Sequence, residues 1–361
     1  MRLVIGQVYA VSPVETCSRT RCWFAPFASN TQRLLGVEPY DLGMREALSK
    51  QELEAAHCWE ADDHVPRQPE LTGFRRRLRY HQARWREANG HPIGSQPIAP
   101  RPNGGPARLV GSRLQLAYAR ATGANFLTAG ALDAAKTRTS IIEPHQSFDH
   151  QRLWVDLLSS PAMAFNLFGD LAADLGLADR AVHTWWPDVP GTVREVRFAH
   201  SPGRLDPTWL GNLVAFDVAF VLDLGKGTQG IVGVVTAYHQ VNKPQPPKPS
   251  RLPRYREITE SSGVFARGAI DAVNGTDLIH IWLDHLLVLS MLQHPSRAWR
   301  WGRLVVVHPA GNTDFADACN HYRALLVDQS SFASATVEEL LDGNILPAET
   351  AAALRDRYLP H

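Results

Sequence analysis

The chain has 361 residues, 44% hydrophobic and 20% charged, a balance that excludes a disordered or low-complexity protein and allows a sizeable core. Its 37 basic and 36 acidic side chains leave a formal net charge of +1. That excludes a chain-wide basic surface, so any nucleic-acid binding must rest on a local patch.

Four cysteines, Cys17, Cys22, Cys58 and Cys319, are too few for a disulfide scaffold in a chain of this length. Cys17 and Cys22 with the His57-Cys58 pair offer four zinc ligands, but adjacent His and Cys side chains rarely converge on one metal. Free, reduced thiols are the expected state. The N-terminal MRLVIGQVYAVSPVE lacks a small-residue cleavage site, and apolar runs such as 286–289 are far too short to span a bilayer. A cytoplasmic protein is the expectation.

Residues 44–58 carry a helical pattern. Residues 72–89 form a strongly basic helix candidate, with Phe74, Leu78 and Trp85 on one face. Its arginines read as a solvated face, with a phosphate-contacting surface as the alternative. Residues 90–106, rich in Pro and Gly, read as a connector. Residues 148–177 form a long helix broken at Ser159-Ser160-Pro161. Strand periodicity of two then marks 193–199, 213–224 and 229–238, the last two joined by a turn at Gly225–Gly227 into a hairpin. A helix over 277–294 follows, with apolar residues at three- and four-residue intervals, then an apolar strand over 304–308. The final helix is capped by Thr313, with Phe315, Cys319, Tyr322 and Leu326 on its core stripe. The expected divisions are a mostly irregular or helical region over 1–110, an α/β domain over 111–335 and a helical tail over 336–361.

The order helix, three strands, helix, strand, helix implies a central mixed sheet flanked by helices. This α/β order resembles the restriction-endonuclease-like core of the PD-(D/E)XK nucleases. Several segments, in order, resemble one bacterial branch of them, a restriction-endonuclease-like family typified by a Porphyromonas protein. They include QRLWVDLLSSPAMAFNLFG (151–169), LGNLVAFDVAFVL (210–222), GIVGVVTAYHQ (230–240) and IWLDHLLVLSML (281–292). The resemblance covers most of residues 80–330. It implies carboxylates on neighbouring strands that bind magnesium, activate a water and stabilise charge on a phosphate under attack, with DNA as the partner. The strands holding Glu195, Asp217 and Val235 should then be neighbours, with the 277–294 helix on one face.

Matched by position, Asp217 takes the family's metal-binding aspartate and Glu195 the upstream carboxylate. The carboxylate-x-lysine of the third strand falls on Val235 and Ala237, which can neither ligate a metal nor carry charge. His239, two residues beyond Ala237, shares that face if the strand continues; Lys226, Glu257 and Glu260 are other candidates for relocated chemistry. Arg204 and the proline-rich arm carrying Lys243, Lys248, Arg251, Arg254 and Arg256 are candidates for contact with a nucleic-acid backbone. Asp284 and His285 interrupt an apolar helix, so each needs a hydrogen-bonding partner or faces a site. Three functions follow: a nuclease-fold protein with weakened or lost catalysis, an active magnesium-dependent endonuclease with relocated residues, or a non-catalytic subunit that binds DNA or protein.

Overall fold

The computed structural model describes residues 48–60, 63, 69–99, 105–146 and 148–360. Cys17, Cys22, the N-terminal segment and the start of the 44–58 helix lie outside them. Of the 44–58 pattern, α1 (Lys50–Ala55) is described, closed by a capping box between Ser49 and Glu52. Residues 47–361 form one compact unit.

The basic helix is α2 (Pro69–Ala88), and Phe74, Leu78 and Trp85 are buried as its pattern predicts. The connector that follows is not structureless. It holds β1 (Ile93–Gln96) and leads into β2 (Arg108–Leu114), the two paired antiparallel in a two-stranded sheet beside α2. Helices α3 (Leu116–Thr122) and α4 (Ala129–Ser140) come next. The long broken helix is three pieces: α5 (His150–Val155), α6 (Ser160–Ala173) and α7 (Leu175–Trp185). Ser159 caps α6 and Pro161 sits in its first turn, where its missing N–H costs nothing.

The main sheet has five strands in the order β3 (Thr192–His200), β4 (Phe216–Asp223), β5 (Gln229–Thr236), β6 (Trp299–His308) and β7 (Phe332–Thr336). The first three are an antiparallel meander, and β5–β6 and β6–β7 are parallel, so the sheet is mixed as the element order implies. Between β5 and β6 the chain crosses through α8 (Leu252–Ser262), α9 (Ala269–Val273) and α10 (Ile279–Leu292). α11 (Thr313–Ala324) joins β6 to β7, with Asn312 rather than Thr313 as its cap.

Alternation along the strands builds two cores. Val218, Phe220, Leu222, Val232, Val234, Val305 and Val307 pack against α6, α7 and the C-terminal helices α12 (Val337–Asp342) and α13 (Ala348–Tyr358). Phe216, Ala219, Val221, Ile231, Leu304 and Val306 pack against α8, α10 and α11. The result is a three-layer sandwich. Gly233 on β5 is required by packing, because a Cβ there would lie 2.5 Å from the Phe216 ring. Edge strand β3 does not offer all its carbonyls to another chain: Arg138 donates to Phe198 O (2.7 Å) and Ala199 O (3.3 Å).

Candidate active site

Asp217 stands near the start of β4. Its neighbour Val218 pairs with Val234, which sets Asp217 beside the end of β5. One carboxylate oxygen, Oδ2, accepts the backbone N–H and the hydroxyl of Thr236, both at 2.7 Å. Burial pushes the carboxyl above its ordinary range, and the two Thr236 bonds oppose that shift. The carboxylate lines a small cavity of about 160 Å³ with Gln146, Phe148, Pro161, Phe165 and Arg204.

The strands of Glu195, Asp217 and Val235 are adjacent, and α10 packs on one face of them. The three residues themselves do not converge. Glu195 pairs across the ladder with Val221, four residues along β4 from Asp217. At roughly 3.4 Å per residue that separation is about 14 Å. The Arg197 guanidinium, 2.6 Å away, holds the Glu195 carboxyl below its usual range. Val235 faces the α10 core and Ala237 is buried, so neither brings a polar side-chain atom to Asp217.

A second acid in electrostatic reach of Asp217 comes from α10. Burial raises the Asp284 carboxyl well above its ordinary value, and the charge of Asp217 raises it further. No hydrogen bond or ion pair to the Asp284 side chain is present among the described residues. Its neighbour His285 is different: its ring nitrogens meet Tyr322 Oη and Ser331 Oγ, each at 2.9 Å, and burial pulls its pKa down to about 3. His285 is a neutral, structural core residue, whereas Asp284 lies in the field of Asp217.

His239 does not join this group. β5 ends at Thr236, where the chain turns out of the sheet; the Tyr238 N–H donates to Ser160 Oγ at 2.9 Å. His239 lines a separate cavity with Arg113, Arg152 and Asp156. Lys226 sits in the β4–β5 turn at the far end of the hairpin, and Glu257 pairs with Arg254 at 2.9 Å. Glu260 is exposed on α8.

Of the candidate cations, Arg204 is buried, donating to Glu143 and to Ala199 O (2.7 Å). Arg254 is spent on Trp209 O (3.0 Å), Thr208 O and Glu257. The arm is partly helical, since α8 begins at Leu252. Lys243, Lys248 and Arg256 are exposed, Arg251 is half-buried, and none of the four makes an ion pair among the described residues.

Magnesium demands near-octahedral oxygen ligation. Here the side chains of Val235 and Ala237 supply no oxygen, Glu195 is remote, and Oδ2 of Asp217 is already engaged. The residues gathered do not make up the expected donor set. Among the described residues no group of three or more His, Cys, Asp or Glu side chains gathers to hold a metal ion. Cys58 and Cys319 are free and buried. Sequence reasoning overlooks Asp156, buried in the WVDLL run, although a charge interrupting an apolar run is the same signal that singles out Asp284.

A family model describing the PD-(D/E)XK nuclease superfamily matches residues 63–360. No curated protein and no solved structure matches the chain. Among the described residues no helix is long and apolar enough to cross a membrane.

Proposed function

Because the chain belongs to the PD-(D/E)XK nuclease superfamily, we propose that it is a nuclease-fold protein of bacterial DNA processing or defence that binds DNA but has weakened or lost cleavage. Within the superfamily, its short segments resemble the branch typified by a Porphyromonas protein. The observation that carries this reading is the apolar pair Val235 and Ala237 at the strand end beside Asp217, where the superfamily's chemistry needs a carboxylate and a lysine. The superfamily typically uses magnesium. Loss of one preorganised charge-stabilising group costs about 3 kcal/mol at a barrier, and two are missing here.

DNA would be held by charge rather than by the active-site groups, and by a local patch, since the chain as a whole is nearly neutral. The arm supplies Lys243, Lys248, Arg251 and Arg256; Arg204 and Arg254 have other partners. Replacing Lys243, Lys248 and Arg256 with glutamine should weaken duplex binding about equally for all sequences. It should also flatten the dependence of log affinity on log salt by roughly 0.9 for each phosphate no longer neutralised. Affinity measured across a salt series for wild type and the triple variant tests this. An unchanged slope removes the arm from the interface, and no binding at low salt favours a protein-interaction role.

A second reading keeps cleavage and moves the missing acid to α10. It is favoured by the unpartnered carboxylate of Asp284 in the field of Asp217.

A further inference from the structure

We propose that the cavity beside His239 is a binding site for a nucleotide 5′-phosphate, carried either by a free nucleotide or by the end of a nucleic-acid strand. The cavity measures about 620 Å³ and shares no lining residue with the one at Asp217. Its size falls within the range of small-ligand sites. Pro97, Ile98, Ala99 and Leu158 form an aliphatic wall suited to a sugar and a base face. Gln96, Gln151 and Ser112 offer donors and acceptors to a base edge.

Arg113, Arg152 and His239 mark the polar end. Three acids also face the cavity, and each is already engaged. Asp156 accepts the Leu158 N–H (3.1 Å) and Arg152 Nε and Nη2 (3.1 and 3.0 Å). Asp149 caps α5 through the Arg152 N–H (3.0 Å), and Glu60 pairs with Arg79 at 3.3 Å. Arg113 Nη1 already donates to Ser95 O (3.1 Å) and to Gln96 Oε1, so the donor capacity that remains open is Nε of Arg113 and Nη1 of Arg152. His239 Nδ1 is buried with no hydrogen-bond partner, and so is Nε of Arg75, whose charge bears on the same ring. Burial pulls the His239 pKa down to about 4, against the pull of Asp156, so the ring is neutral near pH 7 and in its Nδ1–H tautomer donates without a charge.

A buried donor left unpaired costs about 1–3 kcal/mol, which a ligand bringing acceptor oxygens would recover once the His239 ring turns Nδ1 toward the cavity. Two guanidinium groups beside such a donor match a phosphate, whose oxygens accept several charge-assisted bonds at once.

The strand-end form of the site rests on the DNA-binding reading above; the free-nucleotide form does not. Calorimetric titration of the full chain tests both. The probes are deoxyadenosine 5′-monophosphate, deoxyadenosine, and a short single strand with and without its 5′-phosphate. At least one phosphorylated probe should bind about tenfold or more tightly than its unphosphorylated twin. Discrimination by the mononucleotide identifies a free nucleotide, and discrimination by the strand alone identifies a strand end. Arg152→Gln, at a half-exposed side chain, should abolish the discrimination. The exposed Gln151→Leu should weaken both twins and keep the ratio, which separates a lost site from lost folding. Equal binding of phosphorylated and unphosphorylated probes, or no binding of any, overturns the proposal whether or not duplex DNA binds through the arm. Loss of arm-dependent duplex binding alone overturns only the functional reading.

Discussion

Replacing Arg79 with methionine is expected to destabilise the chain by about 1.5–3 kcal/mol, the cost of losing charged hydrogen bonds in a buried ion pair. Arg79 and Asp63 each have a side chain only 3% exposed, and they meet at 2.5 Å. Arg79 Nε also donates to Cys58 O at 2.9 Å, so its loss leaves that carbonyl unpaired, while Asp63 keeps Arg76 Nε (3.2 Å) and the Glu60 N–H (3.0 Å). Burial works against ionisation of Asp63, but the Glu60 N–H and the Arg79 charge outweigh it and hold its carboxyl low. Asp63 is therefore charged near neutral pH in the wild-type chain. Denaturant unfolding of the variant near pH 7 measures the loss. A change below about 1 kcal/mol would place the pair with weak surface contacts instead.

Asp284→Asn should have the opposite sign. In the folded chain burial, and then the charge of Asp217, raise the Asp284 carboxyl well above its ordinary value. Between the ordinary value and the raised one, the folded state holds a proton that the unfolded state releases. Stability from this residue therefore falls as pH rises through that window. An asparagine carries no such liability. The variant should be more stable than wild type near pH 7 and lose that advantage as pH is lowered toward about 4. Thermal unfolding of both proteins across this range is the measurement. A variant less stable than wild type near pH 7 would mean that the Asp284 carboxylate is held by a favourable partner.

The central strands and α10 are legible in the sequence because both their faces are buried. Val218, Phe220 and Leu222 alternate against Ala219 and Val221, and each set meets its own helical layer. The edges are not. β2 reads RLVGSRL, with no clean alternation, and its place is set by α2 and β1 rather than by its own pattern. β7, FASAT, is held by its parallel ladder to β6, a non-local pairing that propensity does not signal.

The arginines of α2 carry a different ambiguity. Periodicity suggests a solvated face, yet Arg79 and Arg86 are buried and Arg76 reaches Asp63 at 3.2 Å. Their partners, Asp63, Cys58 O and Gly111 O, come from separate segments. At the site, the positions of Asp217, Val235 and Ala237 are readable from the order of short segments. The spread of Glu195 away from Asp217 is not, because it depends on cross-strand register and on a bulge between Val193 and Glu195. Alternation puts His239 on the face of Val235 and Ala237, but that alternation stops where the chain leaves the sheet at Thr236.

The most direct test of the account is cleavage of plain duplex DNA by the purified full chain with magnesium, compared with Val235→Glu/Ala237→Lys. The account predicts no robust cutting by the wild-type chain and measurable cutting by the double variant, lost again when Asp217→Ala is added. Efficient wild-type cutting abolished by Asp217→Ala would contradict it, and abolition by Asp284→Asn as well would place the missing acid on α10.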